Sequence, residues 1–160
     1  MRTIAADAVP PLPWKNGGGV TRDLLVDRPD WRWRISLADI DRDGPFSDYP
    51  GVERWFAVIA GAGVELAFGG RRLALRPGDA PLRFDGANGP GCRLLDGPTR
   101  DLNLLLRDGA RGTMRRADRA WDEPWPLRGF FAPATRTLEW QLPPGPLAAR
   151  GDGLWIGVDE

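Results

Sequence analysis

Glycine and proline are spread so evenly along this chain, 21 and 16 of them in 160 residues, that only short segments run uninterrupted. That pattern punctuates strands, because glycine supplies the positive φ of tight turns and proline lacks the donor a ladder or helix interior needs. The segments between are strand-like: 20–26 (VTRDLLV), 31–40 (WRWRISLADI), 52–60, 63–68, 71–76, 80–86, 92–96, 100–108, 135–142 and 153–159. In 31–40, Trp31, Trp33, Ile35 and Leu37 share one face, leaving Arg32, Arg34, Ser36 and Ala38 on the other. Only 114–122 has a helical look, and it is short and basic. Many short strands at this spacing predict an all-β sandwich or barrel. The length suits a single domain over 1–160, with a soft internal join near 109–113 between a longer N-terminal and a shorter C-terminal half.

The chain contains no histidine. That removes the commonest metal ligand and the commonest general base together. With Cys92 the only cysteine, no intrachain disulfide and no Cys/His zinc site can be built. Neither a metal nor another cofactor is expected. Cations and anions balance at 22 each, with no long block of one sign, so neither nucleic acid nor a membrane surface is an expected partner. The N-terminus lacks the apolar run of a secretory signal, and the chain reads as cytoplasmic.

Among 22 cationic side chains there is one lysine, Lys15, in PWKNGGGVTR (13–22). On a solvated surface lysine and arginine are nearly interchangeable; they differ where a compact ammonium must reach a point. Asn16 can donate and accept, and Gly17, Gly18 and Gly19 let backbone amides approach an anion closely. The order is not that of a P-loop, where glycines precede the lysine and a helix follows. A flexible turn explains three glycines equally well. Arg34, Ser36 and Ala38 suit a pocket wall with a charged head at its mouth, or an ordinary solvated face. Ser47 and Tyr49 lie in GPFSDYPGVER (44–54), a loop that gathers scarce residue types. Asp101 and Asn103 share a strand face, either to fix a polar ligand or to pair with arginines.

Taken together, PWKNGGGVTRDL (13–24), WRISLADI (33–40), GPFSDYPGVER (44–54), LRFDG (82–86) and GPTRDLNLLLR (97–107) resemble the HutD/Ves family of small cupin-like proteins. The match runs over about residues 3–110 and only loosely beyond. The resemblance implies a cupin-like jelly-roll β-barrel in a bicupin arrangement within one compact bacterial chain. It also implies a link to histidine utilisation, with N-formylglutamate or a related small acid as the sensed metabolite. Cupins often hold a metal through histidines and a glutamate, which this chain cannot do.

Three functions stay open on the sequence. The first is a metal-free binding or regulatory protein for a small organic acid. Lys15 with Arg22, Arg34 and Arg54 would supply charge, the Gly17 and Gly18 amides donors, Asn16, Ser47 and Asn103 orientation, and Trp14 and Phe46 an apolar wall. The second is a cofactor-free isomerase or lyase using Lys15 with Asp101 or Tyr49. The third is an interaction protein with a tryptophan patch around Trp121 and Trp125, or a homodimer formed through a sheet edge.

Overall fold

The computed structural model describes residues 1–160 as fifteen strands and one turn of 3₁₀ helix, Ala6–Ala8. The strands are β1 (Arg2–Ala5), β2 (Leu12–Pro13), β3 (Gly19–Val26), β4 (Trp33–Ile40), β5 (Gly44–Pro45), β6 (Glu53–Ala60), β7 (Val64–Phe68) and β8 (Arg71–Leu75). They continue with β9 (Leu82–Asp85), β10 (Gly91–Leu94), β11 (Thr99–Leu106), β12 (Gly112–Arg116), β13 (Leu127–Ala132), β14 (Thr137–Trp140) and β15 (Leu154–Val158).

Three antiparallel sheets result. The central one has the order β2-β3-β4-β11-β6-β9, and four strands, β5-β10-β7-β8, pack against part of one face. The third sheet, β1-β14-β13-β15-β12, covers the other face, and in it the N-terminal strand pairs with the C-terminal region, Ile4 opposite Leu138. The architecture is all-β and cupin-like, with stacked sheets that do not close into complete barrels.

Covering both faces of the central sheet replaces alternating burial by nearly continuous burial along β4, β6 and β11. One side chain set, Trp33, Ile35, Leu37, Trp55, Ala57, Leu102, Leu104 and Leu106, meets Met114, Phe131, Leu138 and Ile156 of the third sheet in the main core. The other set is apolar only in part: Ile40, Phe56 and Val58 meet Val64, Leu66 and Leu75 of the four-stranded sheet. Beside Ala38 and Leu105 it carries polar members, among them Arg34, Ser36, Arg54, Asp101 and Asn103. Polar side chains on a buried sheet face cost stability unless something pairs with them, so this half-face marks the site.

Several expectations change. Residues 112–116 form β12, not a helix, because Met114 must enter the main core while the backbone completes the ladder to β15. Trp31 lies outside β4, where the Arg107 guanidinium stacks over its ring at 3.8 Å. Strand β13, absent from the sequence reading, runs through Gly129, which looks like a turn residue. Gly129 is required because the Trp140 ring lies against its α-carbon, in the space a Cβ would take. Trp121 stacks on Trp155 with ring centroids 5.7 Å apart, and Trp125 packs beside them. These rings cover the outer face of the third sheet and pack among themselves, so they form no exposed patch. No helix is long and apolar enough to cross a membrane.

Candidate functional site

A cavity of about 680 Å³ opens between β3, β4 and β11 on one side and the segments 12–16 and 45–49 on the other. No residue of β7, β8 or β10 lines it, so the four-stranded sheet leaves this part of the central sheet uncovered. The floor is set by register. Asp23, Ser36 and Asn103 lie on one rung across β3, β4 and β11. The next rung carries Arg34, Leu105 and Arg54 across β4, β11 and β6. Two arginines therefore flank one leucine, from strands on either side of β11.

Arg54 is 7% exposed, and its only hydrogen bond runs from Nη2 to the neutral Oδ1 of Asn103, 3.2 Å away. Its Nε and Nη1 are buried without a partner. Phe46, Tyr49 and Phe84 present ring faces within 6 Å, which favours a cation but satisfies none of its N–H groups. Burial pushes the Arg54 guanidinium below its ordinary pKa; Asp101 and Tyr49 oppose this and Arg34 adds to it. Arg34 donates from Nη2 to the Tyr49 hydroxyl at 3.4 Å, while its Nε, 3.8 Å from Asp23 Oδ1, is buried without a hydrogen bond. Asn103 Nδ2 donates to Asp101 Oδ2 at 2.6 Å, and Asp101 Oδ1 has no partner. Burial, partly countered by Asn103 and Arg54, raises the Asp101 pKa to about 7.

The structure brings Lys15, Asn16, Arg34, Ser47, Arg54 and Asn103 to this one cavity, with Trp14, Phe46, Tyr49 and Asp101. Lys15 and Ser47 are exposed at the rim. Arg22 is not among them. It pairs in register with Leu37 on the main-core side of the sheet and donates from Nη1 to Asp39 Oδ2 at 3.2 Å. Its neighbours Thr21 and Asp23 line the cavity in its place, a choice of face that the sequence of an isolated strand does not contain.

Gly17 and Gly18 are a second correction. The Gly17 amide donates to Trp14 O at 3.0 Å and the Gly18 amide to Asn16 Oδ1 at 2.8 Å, so both are spent closing the β2–β3 turn. Gly19 has a packing reason to be glycine: a Cβ there would overlap the Asp39 carbonyl oxygen and press on the Trp14 ring. Gly19→Ala is expected to destabilise the protein by about 1–3 kcal/mol, read as a lower urea midpoint at unchanged m.

The loop 45–49 is held by three bonds to the chain after β9: Phe46 N to Pro90 O, Tyr49 N to Gly86 O, and Gly89 N to Asp48 Oδ1, all within 2.9 Å. The opposite wall is fixed by Trp14 Nε1 donating to Thr21 Oγ1 at 2.8 Å. The cavity is thus pre-formed. No three His, Cys, Asp or Glu side chains converge to hold a metal ion, and the residues present do not fit the metal site common in cupins.

A family model for HutD matches residues 6–127, a span that contains every cavity residue named above. The chain belongs to the HutD family. The 21.2 kDa protein of the hutC 3′ region of Pseudomonas putida is 37% identical over 110 residues, covering 66% of this chain and 57% of that protein. Protein Ves of Cronobacter sakazakii is 34% identical over 112 residues, covering 68% and 62%. The chain therefore spans less than two thirds of the length of these relatives. The solved structure of HutD from Pseudomonas fluorescens SBW25, in a formate condition, superposes with a TM-score of 0.83 at 28% identity, covering 99% of this chain and 97% of that one. At 15% identity the fold alone is shared with KdgF from Halomonas sp., with a TM-score of 0.54 over 65% of this chain and 93% of that one. HutD-family relatives of this chain thus lie in a histidine-utilisation context.

Proposed function

We propose that this HutD-family protein binds a small organic acid in the cavity, as a binding or regulatory protein that senses a metabolite such as N-formylglutamate. One observation carries the reading. Arg34 and Arg54 face the cavity from a single rung with buried N–H groups unpaired, and Arg54 has no carboxylate hydrogen-bonded to it. An unpaired buried guanidinium is costly, and a carboxylate held by both arginines would remove that cost through charge-assisted bonds. Lys15, at the rim with no ion pair, would add a point charge for the outer part of the ligand, a second carboxylate included. A cavity of about 680 Å³ has room for a dicarboxylate of that size. The alternative, an isomerase or lyase with Lys15 as Schiff-base former, calls for a desolvated lysine, and Lys15 is exposed.

The test is a thermal-shift titration against N-formylglutamate, glutamate, urocanate and formate. Ligand at a hundred times its Kd adds about 2.7 kcal/mol of stability, or roughly 5–10 °C for a chain of this size. Lys15→Met is expected to keep the parent's melting temperature without ligand. Its affinity should fall only about two- to fivefold, because a rim charge acts through solvent and mainly on association. Equal affinity of parent and variant for every acid would remove Lys15 from the site. No shift with any acid would sink the binding reading.

A further inference from the structure

We infer that the acid is bound together with one proton, taken from solvent and held on Asp101 beneath the cavity. The inference rests on the binding reading above and adds a second particle to it. Asp101 is 2% exposed and lies on β11 between Ala38 of β4 and Val58 of β6. Its carboxyl reaches the cationic rung through one neutral side chain: Asn103 Nδ2 donates to Asp101 Oδ2, and Asn103 Oδ1 accepts from Arg54 Nη2. Asp101 Oδ1 is buried with no donor, so an ionised carboxylate leaves half its acceptor sites empty.

The charges around Asp101 are few and can be named by element. Beta-strand β3 brings Asp23, β4 brings Arg34 and, from the opposite sheet face, Asp39, while β6 brings Arg54. The 12–16 segment brings Lys15 at the rim, and the 45–49 loop brings Asp48 and Tyr49. From the four-stranded sheet comes Cys92, a neutral thiol whose pKa burial, then Asp101 and Asp43, push to about 12. Arg54 is the cation that favours ionised Asp101, and Asp39 opposes it. An acid bonded to Arg54 cancels that support and places a second negative charge beside the buried carboxyl. Two carboxylates sharing such a site do not both stay ionised, so the buried one takes a proton. No bond in the ligand is made or broken. Asp101 already stands at the edge of this step, with a pKa near 7 before any acid arrives.

Calorimetric titration of the intact protein with N-formylglutamate, in phosphate and in Tris at pH 6 to 8.5, reads the proton count from the difference in heat. Both carboxylates of this probe stay ionised throughout, so it contributes no proton of its own. The expected result is uptake close to one proton at pH 8 and falling toward zero at pH 6. Affinity should weaken up to about tenfold per pH unit in the alkaline range. Asp101→Asn, which keeps the Asn103 bond, should bind without proton uptake and with a flat pH profile. A ¹³C-carboxyl titration of the parent covers the case in which that variant fails to fold: the Asp101 midpoint should rise when the probe is added. Tight binding with no proton uptake at any pH overturns the inference and leaves the acid-binding reading standing. Uptake that survives in Asp101→Asn overturns the assignment to Asp101. No binding by the parent at any pH removes both.

Discussion

Arg54→Met is expected to weaken acid binding at least thirtyfold while leaving the protein folded and about as stable as the parent. Truncating one partner of a buried, hydrogen-bonded charge pair costs about 2–5 kcal/mol of binding, a loss of roughly thirtyfold to several thousandfold. Stability should not follow, because in the free protein the guanidinium is buried without a carboxylate bond and leaves Nε and Nη1 unpaired. Replacing such a charge with a flexible apolar side chain of similar length is often neutral or stabilising. The change also strands Asn103 Oδ1, at a cost of about 1–3 kcal/mol, so the two effects offset. Arg54→Lys separates charge from shape: it keeps the cation but lacks the planar fork, and should recover only part of the affinity. Calorimetry gives the affinities and urea unfolding the stabilities. A variant that loses binding only because it unfolds would contradict the account.

Asp101→Asn has the second large expected effect, on stability and with a defined pH window. The Asp101 pKa is raised from 3.8 to about 7 in the folded protein, with burial as the main cause. Between those values the native state holds a proton that the unfolded chain has released. Native stability therefore falls as pH rises from about 4 to 7 and is flat beyond, the fall being of order 4 kcal/mol from this group. Asparagine cannot ionise, yet still accepts from Asn103 Nδ2. The variant should match the parent near pH 4 and exceed it at pH 8, read as a higher urea midpoint there. A variant less stable than the parent at pH 8 would show that the Asp101 charge is well compensated, contrary to this geometry.

The fold was legible where apolar alternation and turn residues agree. Segment 31–40 showed its two faces in advance, and the structure puts Ile35 and Leu37 in the main core and Arg34, Ser36 and Ala38 at the cavity. Short pairings were not legible: β2 and β5 have two residues each, and β13 contains Gly129, whose role depends on the Trp140 ring opposite. Residues 114–122 misled because their charges suggested an exposed helix, whereas Met114 fills the core from an edge strand. Of the site, Lys15, Arg34, Arg54 and Asn103 could be picked out by residue type and neighbourhood. Arg22 could not be excluded that way, because its face depends on the pairing of β3 with β4, and a bulge near Leu24 turns both Leu24 and Leu25 toward the main core. The glycine triplet carried two meanings in the sequence, and only the hydrogen bonds of Gly17 and Gly18 decide for the turn. That Arg34 and Arg54 flank Leu105 is a property of register, which no single segment encodes.

The most direct measurement is a crystal structure of the protein grown with N-formylglutamate. A carboxylate is expected above Leu105, bonded to both Arg34 and Arg54 at about 2.7–2.9 Å, with the rest of the ligand running toward Lys15. An acid bound elsewhere, or Arg54 still bonded to Asn103 alone at saturating ligand, would contradict it.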